Sequence, residues 1–473
     1  MTTQIYHDIC AYLRRLIKDT PYEGHVYAVG GCCRDEVMGN DIKDVDLAVD
    51  LPDGGVEFAR WLAARQLTAG EPVLFPKFGT AKLYLRDFPD DELQVVQTRR
   101  EKYTDHNSRN PETAFGSLEE DCMRRDLTIN SLYYDITNDK LIDITGVGVR
   151  HIHEHVLCTP AEPFETFDDD PVRILRCVRF AARFDWEIDK DMFDAMAENA
   201  CRLNIISRPR LINEFNKMLT GPRPDLALSY LRDIGAICHI FPQLNPLKRL
   251  PDDTHHPAPA DNPDVNQYSV WQHTLDTLHH LEKTENHPWL PLRLAAMLYE
   301  SGKQPAKVRH PDGTVSYPQY DLRSAKVARQ MLRALHYDSP IVRQTLFLIT
   351  HHRYAVTWGE HAEHMTDRDL RRLQLASGTY EMFEALLDLI DAFNHASGTC
   401  LEQVSYIRQR NQELMENNDH MFDFRLPVSA EDIMRIKGTR SQKFVHRATQ
   451  HLIKMATQNP QRNDYDRLIR RFR

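Results

Sequence analysis

The sequence predicts an α+β protein in which a mixed sheet with helices packed on it occupies the first 150 residues and helices form almost all of the rest. Two observations support this prediction. Short segments rich in β-branched residues alternate with helical segments in residues 1–150, and from Asp170 onward apolar residues recur every three or four positions. The predicted strands are HVYAVG (25–30), DVDLAV (44–49), PVLF (72–75), TAKLYL (80–85) and LQVVQT (93–98).

Two loops interrupt the predicted helical part. Residues 243–268 are rich in Pro, Asp, Asn and His and are the best candidate for a linker, and residues 303–320 form the second loop. The helical segments are PVRILRCVRFAARF, RPRLINEFNKML, DLALSYLRDIGAI, VWQHTLDTLHHLEK, LPLRLAAMLY and SAKVARQMLRAL.

The composition is typical of a soluble globular protein. Of 473 residues, 41% are hydrophobic and 27% are charged, and no run approaches the roughly 18 apolar residues that span a bilayer. Residues 1–19 mix charges with apolar positions, which predicts an amphipathic helix and not a signal peptide. Nine cysteines without a C-x-x-C motif favour reduced thiols. We therefore expect a cytoplasmic protein without membrane association.

The net charge of −10 argues against a protein that coats nucleic acid indiscriminately, although it permits a local basic groove. The last 43 residues are locally basic, with 11 Lys/Arg against 4 Asp/Glu. This surplus favours contact with RNA phosphates, and a solvated charged face is the alternative.

The segment VGGCCRDEVMGNDIKDVDLAVD contains the sharpest group of candidate catalytic residues. Asp44 and Asp46 are separated by one residue on a predicted strand, so both side chains point to the same face. Two neighbouring carboxylates can hold a pair of Mg²⁺ ions for phosphoryl transfer. The Gly30-Gly31 turn lets backbone N–H groups approach a triphosphate, and Arg34 can add a bidentate phosphate contact.

This segment resembles the G-G-x-x-R-D-x-x-x-G and D-x-D signature of class II CCA-adding enzymes and bacterial poly(A) polymerases. The resemblance implies a polymerase-β-like nucleotidyltransferase head followed by an all-helical neck, body and tail. It also implies that Asp44 and Asp46 bind the catalytic Mg²⁺ ions. In that family the 3′-hydroxyl of an RNA attacks the α-phosphate of an incoming CTP or ATP.

A second segment, GSLEEDCMRRDLTINSLYYD (116–135), resembles the family's D-x-x-R-R-D-F-T-I-N-A motif, with Leu127 in place of Phe and Ser131 in place of Ala. Arg124 and Arg125 supply fixed positive charge, and at least one of them is expected to contact the triphosphate or the sugar. A helix start held by salt bridges to neighbouring aspartates is the alternative for either arginine alone.

The third segment, FDDDPVRILRCVRFAARF (167–184), is predicted to be a helix with a basic stripe. Its four arginines, at 173, 176, 179 and 183, fall within an arc of about 120°. The resemblance implies that Asp170 and Arg173 read the Watson–Crick edge of the incoming base. Arg176 and Arg179 are also assigned to nucleotide binding. The alternative for Asp170 is an ordinary helix cap before Pro171.

Two positions in the N-terminal half depart from the family pattern. Gln94 stands where the family has a Glu, and Glu92, two residues earlier on the same strand face, is a partial substitute. Pro209 replaces the Glu of the neck motif I-S-x-E-R-x-x-x-E, while Arg210 and Glu214 remain. These changes leave the rate and the nucleotide selectivity of such an enzyme open.

The helical body resembles an HD-type phosphohydrolase that has lost its metal ligands. The sequences WQHTLDTL and LRLAAMLYESGK keep His273, but Tyr299 and Glu300 replace the His-Asp pair, and Tyr320 stands where the family has another His. A hydrolytic site needs its ligands together. We therefore expect this region to be structural and inactive as a hydrolase.

These observations predict that the chain adds or repairs the CCA 3′ end of tRNA from CTP and ATP with Mg²⁺. A poly(A) polymerase or an A- or C-restricted transferase is the nearest alternative, and a non-catalytic RNA-binding paralogue is a more distant one. The oligomeric state is left open. The predicted segments are a nucleotidyltransferase head (1–150), a helical neck that binds nucleotide and RNA (151–242), a degenerate HD-like body (243–360) and an RNA-binding helical tail (361–473).

Overall fold

The computed structural model describes residues 2–102, 112–251, 268–281, 289–353, 365–422, 424–458 and 463–472. The chain divides into two compact units, Met1–Ile240 and Phe241–Arg473. This division lies two residues from the predicted boundary between neck and body. The finer division into four segments stays a prediction.

A seven-stranded sheet forms the centre of the first unit. Its strand order is β3-β4-β5-β2-β1-β8-β9, and β2 and β5 are parallel neighbours while the other neighbouring strands are antiparallel. The strands of this sheet are β1 (Val26–Val29), β2 (Val45–Val49), β3 (Val73–Phe75), β4 (Thr80–Leu85), β5 (Phe88–Gln97), β8 (Leu132–Asp135) and β9 (Lys140–Asp143). Two further strand pairs are β6 (Arg99–Lys102) with β7 (Glu112–Phe115) and β10 (Val156–Leu157) with β11 (Glu187–Ile188).

Helices surround this sheet and continue beyond it to the end of the unit. They are α1 (Thr3–Ile17), α2 (Gly31–Val37), α3 (Gly54–Ala64), α4 (Leu118–Met123), α5 (Gly148–Glu154), α6 (Pro163–Asp169), α7 (Val172–Phe184), α8 (Lys190–Asn199), α9 (Arg208–Leu219), α10 (Pro224–Asp233) and α11 (Ile237–Ile240). The amphipathic helix predicted at the N-terminus is confirmed, because α1 buries Tyr6, Ile9 and Leu13.

One face of the sheet combines a small apolar cluster with the acidic end of β2. The register pairs Asp46 with Gln94 and Ala48 with Tyr27, and alternate residues of a strand share a face. Asp46, Ala48, Gln94 and Tyr27 therefore lie on the same face. Helix α4 packs there, since its Cys122 belongs to the cluster that contains Tyr27 and Ala48.

In its described residues, the second unit consists mainly of helices and has one short hairpin, β12 (Val308–Arg309) with β13 (Val315–Ser316). The helices are α12 (Val270–His280), α13 (Trp289–Leu298), α14 (Lys303–Ala306), α15 (Tyr320–Ala334), α16 (Ser339–His351), α17 (Asp367–Ser377), α18 (Tyr380–Ser397), α19 (Gln403–Glu416), α20 (Ala430–Lys437), α21 (Gln442–Gln458) and α22 (Tyr465–Phe472). Helix α18 packs against α12, α13 and α16, and a separate apolar cluster around Ile433 and Leu452 joins α20, α21 and α22.

The α+β class predicted from the sequence is confirmed, as are the five predicted strands and the six helical segments where they are described. The prediction did not include β6 to β11, each of which has only two to four residues and so shows little periodicity. It also missed the short helix and hairpin within 303–320. Part of the proposed linker, residues 252–267, lies outside the described residues. Across the described part of the chain, no helix combines the length and apolarity that crossing a membrane requires.

Candidate active site

The carboxylates of Asp44 and Asp46 lie at the start of β2. The strand begins at Val45, so Asp44 precedes it and is exposed, whereas Asp46 is half-buried. Burial raises the pKa of Asp46, and the negative charge of Asp44 raises it further, against the positive charges of Arg125 and Lys82. That the two carboxylates hold catalytic metal ions together stays a prediction.

This carboxylate pair fits a divalent cation. A partly buried carboxylate that is also repelled by its neighbour gains stability when a cation is placed between the two. Magnesium is usually held by one or two protein carboxylates, and water and substrate phosphates complete its coordination. Within the described ranges, no group of three or more His, Cys, Asp or Glu side chains is arranged to hold a metal ion. Asp44 and Asp46 would therefore share the ion with the substrate.

Gln94 is the cross-strand neighbour of Asp46 on β5, so the position where the family has a Glu does face the carboxylate pair. The nearby Glu92 is exposed and bound elsewhere. Lys82 Nζ lies 2.6 Å from Glu92 Oε1, and the Tyr84 hydroxyl donates to Glu92 Oε2 over 3.3 Å. The hydrogen bond from Lys82 lowers the pKa of Glu92. Glu92 thus remains an anion at this edge of the sheet, with Lys82 as its counter-ion.

The buried carboxylate of Asp121 holds the two arginines of the second motif. Arg124 Nη2 lies 2.5 Å from Asp121 Oδ1, and Arg125 Nη2 lies 2.8 Å from Asp121 Oδ2. The Tyr133 hydroxyl also donates to Asp121 Oδ2, over 2.8 Å. Burial alone would raise the pKa of Asp121, but the charges of Arg125 and Arg124 hold it well below its usual range. Helix α4 carries Asp121 and begins with a capping box formed by Ser117.

A polar cleft of about 390 Å³ adjoins these arginines. This volume is within the range of small-molecule sites. Six arginines and four carboxylates line the cleft, so its walls carry a positive surplus suited to a polyphosphate. The arginines are Arg99, Arg124, Arg125, Arg173, Arg176 and Arg210, and the carboxylates are Glu101, Asp126, Asp170 and Glu214.

Glu101 is a member of this cleft that the sequence analysis did not identify. It is buried on β6, and its carboxylate contacts three arginines, at 2.8 Å from Arg99, 3.3 Å from Arg124 and 3.4 Å from Arg173. The only sequence signal was the charge alternation in TRREKY, which gives no indication that residues 72 positions apart meet. Glu101 thus connects Arg124 of the second motif (116–135) with Arg173 of the third motif (167–184).

Asp170 lies between α6 and α7, and its carboxylate accepts hydrogen bonds from two partners. Its Oδ1 accepts a hydrogen bond from Val172 N over 3.2 Å, as a cap does, and its Oδ2 accepts one from Arg210 Nη2 over 2.7 Å. Arg173 is buried and donates to the Thr166 carbonyl over 3.2 Å. Asp170 and Arg173 both face the cleft. Their reading of a base stays a prediction.

The remaining arginines of α7 are divided between two cavities. Arg176 donates to Asp126 over 2.7 Å and lines the cleft. Arg179 donates to Glu214 over 2.7 Å but lines a separate cavity of about 450 Å³, together with Arg183 and Lys217. Arg179 therefore lines a different cavity from Arg124, Arg125, Asp170, Arg173 and Arg176, and its part in nucleotide binding stays a prediction.

The Gly30-Gly31 turn and Arg34 lie beside this site. Gly30 has a φ of +80°, which favours glycine, and a Cβ at this position would be 3.6 Å from Arg125 Nη1. Arg34 is only 3% exposed, and it donates two hydrogen bonds to Asp35 and one, over 2.6 Å, to Asn130. In this state Arg34 braces the turn against the segment 128–130, and its predicted contact with phosphate stays a prediction.

The HD-like positions form a buried ionic cluster in the second unit. His273 Nδ1 lies 2.9 Å from Glu300 Oε2, and Lys303 Nζ lies 2.5 Å from Glu300 Oε1. Tyr320 contacts His352 Nε2 at 3.1 Å, and burial lowers the pKa of His352 to about 4. The ammonium group of Lys303 supplies the positive charge next to Glu300.

The first unit combines a mixed sheet and an arginine-lined cleft with a helical segment that follows them. Two family models match the chain: one described as Poly A polymerase head domain, at residues 26–158, and one described as probable RNA and SrmB-binding site of polymerase A, at residues 185–248. Over these residues the resemblance to the CCA-adding enzyme and poly(A) polymerase family is confirmed.

Relatives and solved structures agree with these matches. The chain is 36% identical over 229 residues to the mitochondrial CCA tRNA nucleotidyltransferase of Candida glabrata, covering 43% of this chain and 41% of that protein. It is 32% identical over 215 residues to a CCA-adding enzyme of Geobacillus sp., covering 45% of this chain and 50% of that protein. The chain thus spans about half the length of the curated relatives it matches.

The Bacillus stearothermophilus CCA-adding enzyme, solved in complex with CTP, shares the fold, with a TM-score of 0.63 and 21% identity over 95% of this chain and 92% of that one. A tRNA nucleotidyltransferase solved with a primer tRNA and an incoming ATP analog has a TM-score of 0.57 and 20% identity over 86% of this chain and 99% of that one. The common fold extends through the helical part.

Replacing Asp121 by Asn should lower the free energy of unfolding by about 3–5 kcal/mol, because the largely buried Arg125 and Arg124 lose this counter-ion while Arg124 keeps its contact with Glu101. The pKa of Asp121 is lowered in the folded state, so its contribution is present above the ordinary aspartate pKa of about 3.9 and is lost as the pH falls below it. Urea unfolding of both proteins at pH 7 and near pH 3 measures this. The control, Glu57→Gln in the exposed pair with Arg60, should change stability by less than about 1 kcal/mol. A similarly small effect of Asp121→Asn would contradict the structural role.

The second unit should have no phosphatase or 2′,3′-cyclic phosphodiesterase activity with Mg²⁺, Mn²⁺ or Ni²⁺, because Lys303 provides the charge that a metal would provide at Glu300. Colorimetric assays of the purified full chain test this. Robust turnover that disappears in His273→Ala would show the prediction to be wrong.

Proposed function

We propose that the chain adds or repairs the CCA end of tRNA, using CTP and ATP. The observation that carries this proposal is the Asp44–Asp46 pair coupled to Arg125, which also lines the arginine-rich cleft. The names of the relatives from Candida glabrata and Geobacillus sp. support tRNA as the acceptor and the CCA end as the product. The direct test offers the protein tRNA transcripts that end before CCA, after C and after CC, each with a single nucleotide.

In the proposed reaction, the RNA 3′-hydroxyl oxygen attacks the α-phosphorus of the nucleotide. A new phosphodiester bond forms, the bond to the β-phosphate breaks, pyrophosphate leaves with that electron pair, and the hydroxyl proton is released to solvent. Asp44 and Asp46 are the residues that would hold Mg²⁺, which supplies charge neutralisation at the attacking and leaving oxygens when bound. Arg124, Arg125 and Arg176, held by their carboxylate partners, offer donors already aimed into the cleft, so little reorganisation accompanies triphosphate binding.

Base selection is proposed to lie at Asp170 and Arg173. Cytosine and adenine both present an amine donor beside a ring-nitrogen acceptor, which a carboxylate and a guanidinium can match. Uracil and guanine present a carbonyl and a protonated ring nitrogen there. The Asp170–Arg210 hydrogen bond gives the carboxylate a fixed orientation in the cleft before a base arrives.

A poly(A) polymerase activity is the second candidate, favoured by the description of the family model that matches the head. Incorporation of many A residues on any RNA would support it, whereas addition that stops after CCA supports the main proposal. Magnesium as the specific ion, the cytoplasmic location and RNA binding by the tail remain proposals of the same kind. The relative from Candida glabrata is named as mitochondrial, so cell fractionation should test whether this protein is cytoplasmic or mitochondrial.

Replacing Asp44 or Asp46 by Asn should reduce nucleotide incorporation by at least about 10²–10³-fold while tRNA binding is retained, because the carboxylates act in the transition state. Single-turnover incorporation with labelled CTP measures the rate. Asp90→Asn, which changes an exposed carboxylate on β5, is the matched control and should react normally. Turnover like that of the wild type in either active-site variant would refute the assignment.

Asp170→Ala and Arg173→Ala should weaken the selection against UTP and GTP by about tenfold to a hundredfold, more than they slow extension overall. An unmatched buried group costs on the order of 1–3 kcal/mol, and the substitutions remove that cost for the wrong bases. Incorporation of each nucleotide on a tRNA that ends in CC gives the ratios.

Asp170→Asn serves as the variant of equal size, and Asp168→Ala, which removes the partner of Arg202, is the control that should leave the ratios unchanged. If the four nucleotides kept their wild-type ratios in the Asp170 variants, Asp170 would be only a helix cap.

A further inference from the structure

A groove between α15 and α16 in the second unit has no part in the site described above. It has a volume of about 410 Å³. Three exposed arginines line it, Arg329, Arg333 and Arg343. Apolar side chains complete the lining, among them the buried Val342 and Leu346. We call this feature the arginine groove.

The arginine groove has a strong positive charge within an acidic protein. Residues 322–353 contain six Lys/Arg and one acidic residue, Asp338, whereas the whole chain has a net charge of −10. Among the residues that the structure describes, none of the three groove arginines forms an ion pair. Other arginines of the same unit do, such as Arg408 with Glu384 at 2.8 Å. The groove therefore carries uncompensated guanidinium groups.

We propose that the arginine groove is a second RNA-binding site, where the three guanidinium groups bind phosphates of the RNA backbone. The apolar side chains of Val342 and Leu346 would contact a ribose or a base. Guanidinium groups bind phosphate oxygens with two parallel hydrogen bonds, and this binding does not depend on base sequence. The choice of RNA as the polyanion rests on the proposed function.

The arrangement of the charges favours a chain of phosphates over a single small anion. Arg329 and Arg333 are one turn apart on α15, roughly 6 Å along its axis, and Arg343 lies on the other helix. All three are exposed at an open groove and not gathered around an enclosed centre. A linear polyanion can contact charges that are spread in this way, and several phosphates gain affinity together by releasing counter-ions.

The test uses the full chain with Arg329→Gln, Arg333→Gln and Arg343→Gln combined, and measures binding of a fluorescent tRNA transcript between 50 and 200 mM salt. We expect affinity at the lowest salt to fall about tenfold to a hundredfold, and the slope of log K against log salt to decrease by about 2–3, roughly one for each lost phosphate contact. Arg323→Gln is the matched control, because Arg323 is exposed on the same helix as Arg329 but lies outside the groove lining and donates to the Pro305 carbonyl over 2.7 Å. Circular dichroism checks that each variant is folded.

Further measurements separate this inference from the proposed function. CTP binding and the rate at saturating tRNA should be unchanged in the triple variant, while KM for tRNA rises. Unchanged tRNA affinity and salt slope would overturn the inference even if the wild type adds CCA. If the wild type extended no tRNA, the proposed function would be refuted. If the triple variant then still bound RNA more weakly than the wild type, the result would support RNA binding at the arginine groove. Loss of binding to ATP or to a polyglutamate peptide, with tRNA binding intact, would also overturn the inference.

Discussion

The Asp121 carboxylate is fully buried, yet it binds Arg124, Arg125 and the Tyr133 hydroxyl. A buried charge is tolerated only when it is paired and its hydrogen bonds are satisfied. Because Asp121 satisfies these conditions, both guanidinium groups are fixed next to the sheet face that carries Asp46. The geometry of the cleft, the pKa of Asp46 and the surroundings of Gly30 all depend on where these arginines are held.

The same principle applies to the walls of the cleft. Glu101, Asp126 and Glu214 each bind at least one arginine, and each bridges segments that are distant in the chain. These carboxylates reduce the positive charge that a triphosphate would meet. They also hold the arginine donors in place. Donors that are fixed in advance can stabilise negative charge that develops in a transition state, as the proposed reaction would require. Gln94 has the opposite effect on the local charge. Because Gln94 stands where the family has a Glu, it removes a negative charge beside Asp46.

The second unit contains another buried carboxylate that is paired. Glu300 is buried between His273 and Lys303, and an unpaired carboxylate in that position would be costly. The Lys303 ammonium group supplies a counter-charge to Glu300, so the surrounding helices can pack around the buried carboxylate. The arginine groove on the surface of that unit differs from the Glu300 cluster. Its guanidinium groups have no carboxylate partner among the described residues, so they are available to a ligand.

The sequence by itself determined the features that depend on local period and local chemistry. Alternation in the segment DVDLAV predicted that Asp44 and Asp46 lie together, although β2 begins one residue after Asp44, and the helical period grouped the arginines of α7 on one side. Positions that depend on residues far apart in the chain were decided only by the tertiary structure. Sheet register placed Gln94 beside Asp46, and packing directed Arg179 to a different cavity from Arg176. The period of a helix or strand is fixed by its own backbone, whereas the partner of a side chain is fixed by how distant segments pack, and no local pattern records that.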